Sequence, residues 1–89
     1  MKNKKQSSKA VALTYEGEKD HAPRVVAKGS WNIADKIIEI AAQHDIPLYK
    51  DKNLAQVLEA LDLDTEIPPE LYQAVAEVLA FIYRLNNKL

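Results

Sequence analysis

The chain contains no cysteine, so neither disulfides nor thiolate metal sites contribute to its stability, and its composition fits a reducing compartment. Glycine is almost as scarce. Gly17 and Gly29 stand far apart, which excludes a glycine-rich phosphate loop. His21 and His44 each adjoin an aspartate but share no ligand spacing, so they read as loop and helix-end residues, with no metal and no cofactor implied. Ser7, Ser8 and Thr65 have no local base signature, which leaves nucleophilic catalysis without support. No apolar run approaches the roughly 20 residues that a spanning helix needs. Met1 is followed by Lys2, Lys4 and Lys5 rather than by the apolar core of a secretory signal. The formal net charge is −1, so no global field draws the chain to nucleic acid or to an acidic membrane.

What is present is one small domain of 89 residues with an uneven charge distribution. Residues 1–8 form a polar, basic arm expected to be disordered, and 9–89 the folded domain. Lys2, Lys4, Lys5 and Lys9 make one end basic. Asp51, Glu59, Asp62, Asp64, Glu66, Glu70 and Glu77 make the second half acidic, with Lys52 alone opposing them. Such charge runs read as a solvated tail and face, or as an acidic docking surface for a basic partner.

The pattern of apolar residues predicts β-β-α-β-α-α order. Ala10 to Tyr15 alternates, with Val11, Leu13 and Tyr15 on one face and Ala10, Ala12 and Thr14 on the other. A turn-rich loop with Gly17 follows, and Arg24 to Lys28 is a second strand after Pro23, pairing antiparallel with the first. Gly29 and Ser30 read as a turn with Ser30 as N-cap for a helix from Trp31 to His44. Its apolar face is Ile33, Ala34, Ile37, Ile40 and Ala41. Ile46 to Lys50 is expected to return as a third strand parallel to the second. Asp51 is expected to cap a helix carrying Leu54, Val57, Leu58 and Leu61. After Pro68 and Pro69, a last helix from Glu70 to Asn86 carries two apolar stripes: Leu71, Val75, Val78, Ile82 and Leu85, and beside it Tyr72, Ala76, Leu79 and Tyr83. The expected fold is α/β (α+β), a small mixed sheet of about three strands packed with three helices.

Several blocks in this order resemble a known family. Ala10 to Tyr15 (A-V-A-L-T-Y), Ala22 to Gly29 (A-P-R-V-V-A-K-G), Ile46-Pro47-Leu48, Asn53-Leu54-Ala55, Glu66-Ile67-Pro68 and the run from Leu71 to Leu85 are similar to the C-terminal cytoplasmic domain of the flagellar export-switch protein FlhB and its type III secretion counterparts, the YscU-SpaS family. The resemblance is collinear from about Lys9 to Leu85. It implies a protein-interaction module of flagellar or type III export, cytoplasmic and at the inner-membrane export gate. The implied partners are the membrane half of the export-switch protein, other gate components, export substrates or the hook-length control protein. Neither nucleic acid nor membrane insertion is implied.

Two departures from the family pattern bear on function. Family members carry membrane spans ahead of this domain, and none is seen here, so the expectation is a stand-alone version of the cleaved fragment. The family also cleaves itself at an Asn-Pro-Thr-His motif, through the asparagine amide attacking its own carbonyl. In register those positions are Lys5, Gln6, Ser7 and Ser8, and no asparagine in the chain precedes a proline, so the expectation is a non-enzyme without autocleavage. A strand that lies upstream of the cleavage motif in the family is also absent. One sheet edge is therefore expected to be open, which permits a monomer or a weak dimer. The candidate interaction surface comprises Lys9, Ala10, Ala12, Thr14, Arg24 and Lys28 on the strands, with Asp62, Asp64 and Glu66 in the acidic loop. The alternatives are a vestigial or regulatory paralogue with no export role, or a small nucleic-acid binder using the basic arm.

Overall fold

The computed structural model of the chain describes residues 9–86. Two strands, β1 (Lys9–Thr14) and β2 (Arg24–Ser30), form an antiparallel hairpin, followed by α1 (Asn32–Gln43), α2 (Lys52–Glu59), a single 3-10 turn (Pro69–Leu71) and α3 (Tyr72–Asn86). The class is the mixed α and β arrangement that the alternating and helical patterns predict.

The hairpin register runs from Lys9 opposite Ser30 to Ala12 opposite Ala27, then slips, so that Leu13 faces Val25 and Thr14 faces Arg24. Val26 is the extra residue of a β-bulge on β2; Val25 is fully buried and Val26 is exposed. The two faces of the sheet are covered differently. Ala10 lies opposite Gly29, and a Cβ on Gly29 would collide with Ile33 of α1, so this face lies beneath α1. On the other face Val11 and Leu13 pack on the main core of Ala22, Leu58, Ile67 and Val75, joined by Leu54, Leu61, Leu71 and Leu79. The hairpin is therefore a middle layer, with α1 on one side and α2 and α3 on the other.

The third strand is not where the sequence places it. Residues 46–50 have no strand structure. Instead the segment 64–67 lies along the start of β2: Val25 N–H donates to Thr65 O (3.1 Å), Asp64 N–H to Val25 O (2.7 Å) and Ile67 N–H to Pro23 O (2.9 Å), with Arg24 and Glu66 forming an antiparallel bridge. Val25 thus spends its outward-pointing donor and acceptor on this segment, and no ladder position remains beside it for a parallel strand. After α1 the chain turns instead through Asp45 in a left-handed conformation (φ 57°), with Ile46 N–H bonded to Ala41 O (2.9 Å). His44 serves as the C-cap of α1. Ile46 and Leu48 remain exposed, and Tyr49 sets its ring edge against Phe81 of α3, centroids 5.2 Å apart.

The helix starts also differ from each other. Asp51 caps α2 as expected, its Oδ1 accepting from Leu54 N–H at 3.0 Å. Ser30 does not cap α1. It belongs to β2, where its cross-strand partner Lys9 donates to its Oγ at 3.2 Å, and the capping position falls to Trp31 with no side-chain bond. Trp31 adopts φ 52° and ψ −116°, a conformation that costs a bulky residue about 1–3 kcal/mol and that the tight strand-to-helix connection imposes.

Candidate interaction surface

The residues singled out from the sequence fall in two groups. Lys9, Arg24 and Lys28 reach the end of α2 and the segment that follows it. Lys28 Nζ donates to Glu59 O (3.0 Å) and Leu61 O (2.6 Å). These carbonyls close α2, a helix with no basic residue in its own last turn, so a lysine from the sheet supplies the C-terminal cap. Lys9 Nζ stands 3.6 Å from Glu59 Oε1 and ties the start of β1 to the same helix end. Arg24 Nε lies 3.4 Å from Asp20 Oδ1 and Arg24 Nη1 3.7 Å from Asp64 Oδ1, so the guanidinium bridges the hairpin loop and the acidic loop.

Asp62, Asp64 and Glu66 are exposed, as a docking surface requires, but Asp64 is partly neutralised by Arg24, and the Asp62 carbonyl accepts from Thr65 Oγ1 at 2.6 Å. Ala12 and Thr14 are half-buried. Ala10 is buried under α1 and offers a partner only its backbone. Lys5, Gln6, Ser7 and Ser8 lie outside the described residues. Sequence reasoning overlooked Asp20, which also accepts from Glu16 N–H at 3.0 Å; its spacing of four from Arg24 across Pro23 was the available signal. Both carbonyls held by Lys28 were invisible to it, because a backbone oxygen leaves no mark in the residue pattern.

The second group is the edge of β1 itself. Among the described residues β1 pairs with β2 alone, and the backbone groups on its opposite edge have no partner. A six-residue edge offers a row of donors and acceptors that an incoming extended segment satisfies, with side-chain pockets on either face setting the choice. Such an edge has the chemistry to accept an added strand. Helix α3 exposes much of its second apolar stripe, including Tyr72, Ala76 and Tyr83, while Leu79 packs on the core. No described helix is long and apolar enough to cross a membrane.

One consequence separates fold from surface here. Exchanging Lys28 for methionine keeps the aliphatic stem and deletes the ammonium, leaving the Glu59 and Leu61 carbonyls without their donor. Loss of charged hydrogen bonds at a part-buried site is expected to cost about 1.5–3 kcal/mol in urea denaturation. A change under about 0.5 kcal/mol, the usual range for a surface substitution, refutes the structural role and returns Lys28 to the surface.

Comparison with known proteins gives a consistent match. The family model described as the FlhB HrpN YscU SpaS Family covers residues 7–82. The chain is 42% identical to the Bacillus subtilis protein YlqH, over 100% of this chain and 96% of that one. It is 49% identical over 81 residues to the flagellar biosynthetic protein FlhB of Aquifex aeolicus, covering 90% of this chain and 23% of the longer protein. Against the FlhB of Salmonella typhimurium, identity is 46%, over 88% of this chain and 21% of that protein. The chain therefore spans between a fifth and a quarter of the length of these FlhB relatives. Among solved structures, the cytoplasmic domain of FlhB from Shewanella putrefaciens superposes with a TM-score of 0.86 at 36% identity, covering 91% of this chain and 64% of that one. The PscU C-terminal domain gives 0.79 at 30% identity, covering 84% and 96%.

Proposed function

The chain belongs to the FlhB HrpN YscU SpaS family, and from that membership we propose that it is a protein-interaction module of flagellar or type III export that acts in place of the export-switch protein's C-terminal fragment. Its working position is cytoplasmic, against the inner-membrane export gate. There it docks on the membrane-embedded half of an export-switch protein, and through that half it takes part in the change of substrate specificity, alongside other gate components, export substrates or the hook-length control protein.

The observation that carries this reading is the edge of β1 left unpaired among the described residues, in a chain collinear with the FlhB cytoplasmic domain. By the family resemblance, a strand upstream of the cleavage motif covers this edge in the intact protein. A membrane half ending after Asn-Pro-Thr retains that strand and so carries a segment of the right chemistry to dock on β1. The chain does not cleave itself in this reading, because the register places Lys5 and Gln6 where the asparagine and proline would stand. Prolonged incubation should leave one species at the mass of the intact chain.

The test is co-purification of the tagged chain with the membrane half of FlhB truncated after its Asn-Pro-Thr, together with secretion of hook and filament subunits by a strain carrying only that half. Binding with restored secretion of both subunit classes is the expected outcome. Absence of both overturns the reading and favours a paralogue without an export role.

A further inference from the structure

We propose that the free chain pairs with a second copy of itself through α3, the two helices antiparallel and crossing at Ala80. The face of α3 turned away from the core carries Tyr72, Gln73, Ala76, Ala80 and Tyr83, all exposed. A shallow groove runs along it, lined by Pro69, Tyr72, Gln73, Ala76, Glu77 and Ala80. Ala76 and Ala80 are one turn apart on the same side of the helix, and such small side chains let another helix approach closely. Tyr83 continues the same stripe and projects from it, 70% exposed. One stripe therefore carries both a hole and a knob, the combination that two facing helices interlock.

Charge complementarity selects the occupant and the direction. Glu77 and Arg84 lie on one flank of the stripe, two turns and about 10 Å apart along the axis. Both are exposed, and neither has an ion pair among the described residues. Neither has an opposite charge three or four residues away, so the helix cannot satisfy them itself. A two-fold axis at Ala80, midway between them, sets Glu77 of each copy beside Arg84 of the other, twice over. Parallel pairing would bring like charges together. The same register brings Tyr83 of each copy level with the hole between Ala76 and Ala80 of the other, so charge and shape agree on one arrangement. An unrelated basic helix, to which the acidic residues alone point, would meet Arg84 at one end of this face. The contact is small, since one helix face buries less than the roughly 1,200 Å² of a stable interface, and exposed ion pairs add little each, so the dimer is weak and salt-sensitive. No residue of β1 takes part, which leaves the strand docking proposed above to different residues.

Sedimentation of the purified chain, with no partner added, tests the pairing directly. At low ionic strength the weight-average mass should rise toward twice that of the monomer as concentration approaches about 1 mM, and fall again as salt is raised. Concentration-dependent amide shifts should cluster between Gln73 and Arg84. Ala80→Arg, at an exposed helical position, should weaken association by about tenfold or more by setting two like charges at the crossing point. Glu77→Arg alone and Arg84→Glu alone should each fail to associate, because every flank charge then faces its own sign. An equal mixture of these two variants should pair again as a mixed dimer, and so should a chain that carries both substitutions. A monomer at every concentration overturns the inference, as does association indifferent to Ala80→Arg or a mixture that stays monomeric. Because no export component is present, these results stand apart from the co-purification: a chain that dimerises but fails to bind the membrane half retains this inference and loses the functional one.

Discussion

Replacing Gly29 with alanine is expected to cost the fold about 3 kcal/mol and to lower its melting temperature by about 10–20 °C. Two effects of the added methyl oppose each other. Gly29 does not occupy a left-handed conformation, so alanine fits the backbone, and the stiffer unfolded chain favours the variant by about 0.4–1 kcal/mol. Against this, the new Cβ would overlap Ile33 Cγ2, lie 2.7 Å from Ile33 Cβ and come within 3.5 Å of its backbone carbon. Ile33 is β-branched and sits in the first turn of α1, so its Cβ cannot retreat unless the helix does. Moving α1 off the sheet would loosen Ala34, whose exposure is 0%, and would disturb a connection already held at an unfavourable Trp31 conformation. The steric term therefore wins. Ile33→Ala alone should have little effect, because Ile33 is 60% exposed, and in the double variant it should recover part of the loss by removing Cγ2. An alanine variant as stable as the parent would show that Gly29 is not the contact point between sheet and helix.

The parts of this fold legible in the sequence are those set by neighbouring residues. The alternation of Ala10 to Tyr15, the helical periodicity of the three helices and the Asp51 cap depend on side chains within one turn or one pleat of each other. What could not be read depends on distant partners. Ser30 carries a capping side chain, but its pairing with Lys9, 21 residues away, extends the strand through it. The Val26 bulge is fixed by the register of the opposite strand, and the cap that Lys28 gives to α2 reaches 31 and 33 residues along the chain. The candidate surface followed the same division. Its residues came from collinear resemblance, which identified the region, whereas their engagement with Glu59, Leu61 and Asp64 required the packed molecule.

The sharpest contrast between the two readings lies in which isoleucine holds the third position beside the hairpin. Ile67→Ala is expected to destabilise the domain by about 3–4 kcal/mol, and Ile46→Ala by less than about 0.5 kcal/mol. Ile67 is 2% exposed and packs with Ala22, Leu58 and Val75, so truncation removes buried methylenes at the centre of the core and leaves a cavity bounded by rigid elements. Its N–H to Pro23 O bond survives the change, which confines the loss to packing. Ile46 is 55% exposed, and its N–H closes the end of α1, a bond that alanine also makes. Had residues 46–50 formed the buried parallel strand that their composition suggests, the order would reverse, because Ile46 would be a sheet residue and Ile67 a loop residue. Urea unfolding of both variants decides the matter, provided the denaturant slope is unchanged so that midpoint shifts report stability alone. A larger shift for Ile46→Ala, or equal shifts for the two, would overturn the assignment of the segment 64–67 to the flank of β2. Arg24 would then lose its bridge to Glu66, and the acidic loop would no longer be held against the hairpin.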